Sequence, residues 1–156
     1  MISKPESPNL LHAWSYVFVQ AVILALIIFL GQSVGPRTHH FATMGWICEW
    51  LGVVGILISA ASLRKSLTAV PIPKVEGTLS TTGLYRYVRH PMYSSVLLLA
   101  LGIAMQSGSI IKYLLVIALY LLFYAKSRYE ETYLIIKYPE YAEYSSRIPR
   151  FIPFTK

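Results

Sequence analysis

Arg86, Arg89 and His90 crowd together with Tyr85, Tyr87 and Tyr93 in the stretch GLYRYVRHPMYSS, residues 83–95, directly before an apolar run. Proline is favoured at the first helical position, where its missing N–H costs nothing, so a helix is expected to start near Pro91 with His90 at its cap. A helix start offers unpaired N–H groups and a positive dipole end, a seat for an anion. The basic and aromatic side chains around it make a cradle for a ligand with a carboxylate and an aromatic ring. The same residues also fit an interface belt, with arginines snorkelling and tyrosines at headgroup depth.

A second constellation is KSRYEETYL, residues 126–134. On a helix Arg128 and Glu131 share a face, whereas Glu130 points nearly opposite Arg128. The two would then serve different parts of a site; alternatively, this is a solvated, salt-bridged turn. Glu49 lies inside the apolar run GWICEWLGVVG, where a carboxylate is expensive and marks either function or a paired group facing the bundle. His12, His39 and His40 form no convincing metal set. Cys48, the single cysteine, excludes an internal disulfide and reads as a buried thiol. No G-x-G-x-x-G is present to support a Rossmann site, and the G-x-S-x-G string GQSVG, residues 31–35, follows an apolar helical run rather than a strand and so makes no nucleophile elbow.

The elements that must position these residues are oily. Of 156 residues, 55% are hydrophobic and 13% charged, with mean hydropathy +0.53. Soluble domains carry about 25% charged residues, so a bilayer is the natural solvent. Four apolar runs stand out: Ala13 to Leu30, Phe41 to Leu63, Met92 to Gln106 and Ile110 to Tyr124. The first is too long for a signal-peptide core and reads as a retained span. Gly35-Pro36 marks a turn after it. Gly45, Gly52 and Gly55 in the second allow another helix to approach closely. That run ends at Arg64-Lys65, and Pro71, Pro73, Gly77 and Gly83 break helix after it. The last two runs are short and are joined by Ser107-Gly108-Ser109, as in a tight hairpin. Tyr138, Tyr141 and Tyr144 then repeat every three residues, as on one face of an amphipathic helix in the headgroup layer.

Net charge is +7. In a soluble protein that would point to nucleic acid. Here 12 of the 14 Lys and Arg residues fall on one side of a four-span topology, and only Arg37 and Lys112 fall on the other. The positive-inside rule therefore puts both termini and the basic segments in the cytoplasm. The expected fold is an all-α, polytopic membrane helical bundle in a single domain, residues 1–156. It has about four spans, two of them within 13–63, plus a C-terminal amphipathic cytoplasmic helix.

GLYRYVRHPMY, two apolar helices, and RYEETYLIIKYPEYAEYSSRIPRFIP together resemble the isoprenylcysteine carboxyl methyltransferase family of integral membrane methyltransferases, whose core pattern the phospholipid methyltransferases share. The resemblance covers residues 75–154; the first two spans match only in being spans. It implies S-adenosylmethionine bound without a Rossmann fold, in a cytoplasmic pocket. It implies that Gly77, Thr78, Leu79, Ser80 and Tyr85 line the cofactor. His90, Pro91, Met92 and Tyr93 would form the helix-start seat, and Glu130 would hold a polar part of the cofactor. Arg128 would face the acceptor carboxylate, with Lys126 a rival, and Glu131 would belong to the acceptor side. YPEY replaces the family's common Phe-Gly before the Glu and Tyr, which affects the end of the helix.

The implied reaction is methyl transfer from S-adenosylmethionine, leaving S-adenosylhomocysteine, to the carboxylate of a prenylated cysteine or similar lipidic acid drawn from the bilayer. An ionised carboxylate needs no general base, so alignment and exclusion of water suffice. N-methylation of a phospholipid headgroup is the alternative enzyme. A non-catalytic membrane scaffold, with the same residues as interface anchors, is the alternative outside enzymes.

Overall fold

The computed structural model describes residues 9–31, 41–63, 66–74, 76–153 and 155. The Gly35-Pro36 turn, His39-His40 and the Arg64-Lys65 boundary lie outside the described residues. The described residues form helices joined by turns and irregular segments, with no β-strand. The helices are α1 (Leu10–Phe29), α2 (Ala42–Leu63), α3 (Pro91–Ser107), α4 (Ile110–Lys137) and α5 (Tyr141–Arg147). A 3-10 turn, Gly83–Arg86, precedes α3. Three helices, α1, α2 and α4, are long and apolar enough to cross a membrane, and α3 is a shorter apolar helix.

Local chemistry sets the boundaries. α1 begins three residues before the apolar run because Asn9 caps it, its side chain accepting from His12 N at 3.3 Å. Pro91 occupies the first position of α3, after His90 as N-cap, as its fixed φ favours. Gly108 closes α3 in the left-handed conformation at φ 63°, which glycine adopts without a Cβ penalty.

The hairpin arms are unequal, contrary to the two short helices expected. α3 has 17 residues, roughly 25 Å at the helical rise, short of the roughly 30 Å hydrocarbon core. α4 has 28 and runs without interruption from the apolar segment through the charged one. Nothing between Ile110 and Lys137 breaks helix; Pro139 does, and forces the preceding Tyr138 into extended backbone. Tyr138 therefore sits outside α5, and the three tyrosines do not share one helical face.

α2 packs along α3 through glycine. A methyl group added at Gly52 would meet the Leu99 backbone nitrogen at 2.7 Å and Ser95 O at 2.8 Å. One added at Gly102 would meet Gly45 O at 2.6 Å. The pairing allowed by the span-two glycines is thus made within the chain. Glu49 sits beside this seam and accepts from Gln106 Nε2 at 2.5 Å, the paired reading of that residue. Ile27, Ala100, Leu119, Phe123 and Phe151 form the apolar core, tying α1, α3, α4 and the C-terminal segment together. Phe18, Trp50, Leu57 and Leu121 remain exposed, as on a surface that lipid covers.

Gly52→Ala should destabilise the protein by about 1–3 kcal/mol through overpacking against backbone. The measurement is the thermal midpoint in detergent. Gly31→Ala, where a methyl meets nothing within 4 Å, is the control that should leave it unchanged.

Candidate functional site

The irregular chain between α2 and α3 folds over one end of the bundle and is pinned there. Ser66 Oγ donates to Thr78 O at 3.0 Å and accepts from Thr78 N at 2.9 Å. Tyr138 Oη donates to Gly77 O at 2.6 Å, and Lys137 Nζ donates to Lys74 O. Beneath this roof lies a narrow cavity of about 90 Å³.

The start of α3 and the exit of α4 meet at its wall. His90 is buried and its Nδ1 lies 3.7 Å from Glu130 Oε2. Tyr93 Oη donates to the same oxygen at 2.9 Å, and its ring stacks on His90 with 4° between planes. Gly77, Thr78, Leu79, Ser80, Tyr85, His90, Met92, Tyr93 and Glu130 all line this one cavity. Pro91 does not: it is buried in the first turn of α3, where its carbonyl accepts from Ser95 Oγ at 2.7 Å.

Glu130 and Glu131 are neighbours in sequence but about 100° apart around the helix. Glu130 faces the cavity. Glu131 faces a buried ionic cluster and is not among the cavity residues. It accepts from Arg150 Nη2 at 2.6 Å and Arg150 Nε at 3.1 Å, pairs with Arg89 at 3.1 Å, and lies 2.9 Å from His90 Nε2. The hydrogen bonds to Glu131 raise the pKa of the Arg150 guanidinium further. Two backbone bonds complete the joint: Arg89 N donates to Pro149 O at 2.9 Å, and His90 N to Arg150 O at 3.1 Å.

Arg128 also lies away from the cavity. Lys126, Ser127 and Glu131 are buried on the inner face of α4 and Arg128 is exposed; none of the four lines the cavity. Its position two residues after Lys126 turns it about 200° away. Lys126 is 3% exposed. Its Nζ donates to Gln20 Oε1 at 2.8 Å and Ala69 O at 3.1 Å, and lies 5.3 Å from the Tyr93 ring centroid.

Sequence reasoning missed Arg89 as a cavity residue on its own, and Arg150 and Gln20 altogether. It assigned Tyr138, Tyr141 and Tyr144 to headgroups, whereas all three line the cavity. Tyr144 Oη donates to Tyr85 O at 2.5 Å. Burial pushes its hydroxyl up to about 12, with Arg89 opposing and Glu131 adding. Burial likewise raises the hydroxyls of Tyr85 and Tyr141.

Two buried polar atoms in the walls lack a hydrogen-bond partner, Arg89 Nε and Tyr141 Oη. The Arg89 guanidinium lies beside that hydroxyl and opposes the upward push that burial gives it. Orphaned groups of this kind cost about 1–3 kcal/mol each unless something bonds them. Beside Glu130 and several aromatic faces, they suit a ligand with charged, polar and aromatic parts. S-Adenosylmethionine has all three.

Fold and site thus define an all-helical membrane protein with a roofed cavity where one helix starts and another leaves the apolar layer. Residues 41–141 match the phospholipid methyltransferase family, and the chain belongs to it. The match includes α2, so it begins earlier than the resemblance suggested, and the family points to a membrane methyltransferase. The chain is similar to the cobalt-zinc-cadmium resistance protein CzcN of Cupriavidus metallidurans, 35% identical over 111 residues, 69% of this chain and 51% of that protein. It is 36% identical to the protein-S-isoprenylcysteine O-methyltransferase of Schizosaccharomyces pombe over 77 residues, 48% of this chain and 33% of that enzyme. It is 29% identical to the methanethiol S-methyltransferase of Pseudomonas deceptionensis over 109 residues, 61% and 42% of the two chains. The chain thus spans about half of these relatives' length or less.

Glu131→Gln should cost about 3–5 kcal/mol, because it leaves buried guanidinium charge uncompensated; a thermal melt in detergent reads the loss. An unfolded tyrosine ionises near 10, so stability should fall as pH rises from there towards about 12, where folded Tyr144 ionises. Alkaline denaturation should be shallower in Tyr144→Phe.

Proposed function

We propose that the chain binds S-adenosylmethionine in the roofed cavity and methylates the carboxylate of a prenylated cysteine or similar lipidic acid. The observation that carries the reading is the convergence of His90, Tyr93 and Glu130 on one wall, although Glu130 lies 37 or more residues from the other two in sequence. The bound cofactor supplies a methyl group already activated by a sulfonium. Glu130 attracts a positive part of it, and Tyr93 holds that carboxylate in place. The orphaned Arg89 Nε donates to an anionic part. Tyr85, Tyr138 and Tyr141 offer faces for a flat ring. The roof, fastened through Gly77 and Thr78, excludes water.

The acceptor's side is set by charge. Lys126, one turn before Glu130, has three ammonium protons, and Gln20 and Ala69 take two of them. The third is available to a carboxylate. A cation at this place favours an anionic acceptor over an amine, which would also have to lose a proton first. Phospholipid headgroup N-methylation is the second reading; the family's own description favours it, and the charge of Lys126 opposes it. The basic end of the bundle, including the cavity, faces the cytoplasm under the positive-inside rule.

Calorimetry in lipid nanodiscs should show S-adenosylhomocysteine binding to the parent and at least tenfold weaker binding to Glu130→Gln. A folded parent that binds none overturns the proposal. Farnesylcysteine and phosphatidylethanolamine supplied in parallel separate the two acceptors. Lys126→Met should lower kcat/KM for the carboxylate by about 10- to 100-fold, the value of a charge-assisted hydrogen bond. It should barely change product affinity, and Arg128→Met should change neither.

A further inference from the structure

On the far side of the Glu131 cluster lies a second concavity, an open groove of about 440 Å³ between the outer face of α4 and the C-terminal segment. Arg89, Arg147 and Arg150 line it, and no carboxylate does among the described residues. Arg89 also lines the cavity, whereas His90 lines only the cavity and Arg150 only the groove. The Arg89–Glu131–Arg150 layer is therefore a partition between two separate sites.

We propose that this groove seats the phosphate of an anionic phospholipid from the surrounding leaflet. The donors are at hand. Arg150 uses Nε and one terminal nitrogen on Glu131, and a guanidinium has five N–H groups. Its plane sits 5.0 Å from the Tyr124 ring, which fixes the fork's orientation. Arg147 stands at the rim, 67% exposed, in a surface pair with Glu143. Such a pair is worth little in water and yields readily to a phosphate. Ser145 and Ser146 also line the groove, their hydroxyls donating to Ala142 O and Glu143 O.

The apolar part of the groove identifies a lipid rather than a free anion. Tyr120 and Tyr124 are one turn apart on α4 and 40% and 41% exposed. They lead from the arginines towards exposed Leu121 and Ile117, the lipid-facing side of the helix. Ile152, 59% exposed, forms the facing edge. A phosphate at Arg147 and Arg150 leaves its acyl chain along these side chains, where tyrosine is at home between oil and water. The arrangement does not depend on the methyl-transfer reading, because the partition keeps it apart from the cavity.

Native mass spectrometry of the delipidated full chain tests this. Phosphatidylglycerol, phosphatidylcholine and inorganic phosphate are the probes. Phosphatidylglycerol should add one saturable molecule about tenfold more tightly than phosphatidylcholine. Ser146→Glu and Arg147→Gln, both exposed and outside the buried cluster, should each weaken it about tenfold and leave phosphatidylcholine adducts unchanged. A lipid-free thermal melt confirms that each variant is folded. Parental phosphatidylglycerol affinity in both folded variants, or equal binding of the two lipids by the parent, overturns the proposal. Displacement of phosphatidylglycerol by inorganic phosphate at equal concentration would show a plain anion site and also overturn it.

Discussion

A single buried carboxylate, Glu131, organises this end of the molecule. Two guanidinium groups and an imidazole converge on it from the segment before α3 and from the C-terminal segment. A lone carboxylate so placed would be prohibitive; surrounded by charge-assisted donors, it becomes a fastener with fixed geometry. Because His90 both touches Glu131 and stacks on Tyr93, the fastener orients the wall of the cavity without entering it.

The adjacent Glu130 shows how a helix separates two tasks that sequence places side by side. A step of one residue carries a side chain about 100° around the axis, enough to put one carboxylate in the cavity and the other in the joint. Lys126 follows Glu130 inward, at one full turn. Arg128, half a turn out of phase, faces away, although its planar fork makes it the more attractive carboxylate ligand on chemistry alone.

The sequence was most legible where local rules act. Hydropathy located the four runs, and Pro91 marked the start of α3. The glycines of α2 announced a close approach, although only the coordinates name Gly102 and Leu99 as what they approach. What stayed hidden depends on long-range contact. Arg150 lies 19 residues from Glu131, and Gln20 lies 106 from Lys126. No periodicity links such pairs. The tyrosines misled for a related reason. A repeat of three suggests one helical face, but Pro139 interrupts it, and the roof gives each hydroxyl or ring an inward neighbour. An interface belt and a ligand cradle use the same residue types, and only burial distinguishes Tyr85 from exposed Tyr87.

The glycine seam between α2 and α3 also has a mechanical meaning. With backbone brought close to backbone along much of its length, the seam leaves the two helices little room to move apart. A long span responds to a thicker or thinner membrane by tilting. Any tilt of α2 is therefore passed to α3, whose first turn carries Tyr93 and abuts His90. A tilt of the pair relative to α4 would change the angle at which these groups meet Glu130.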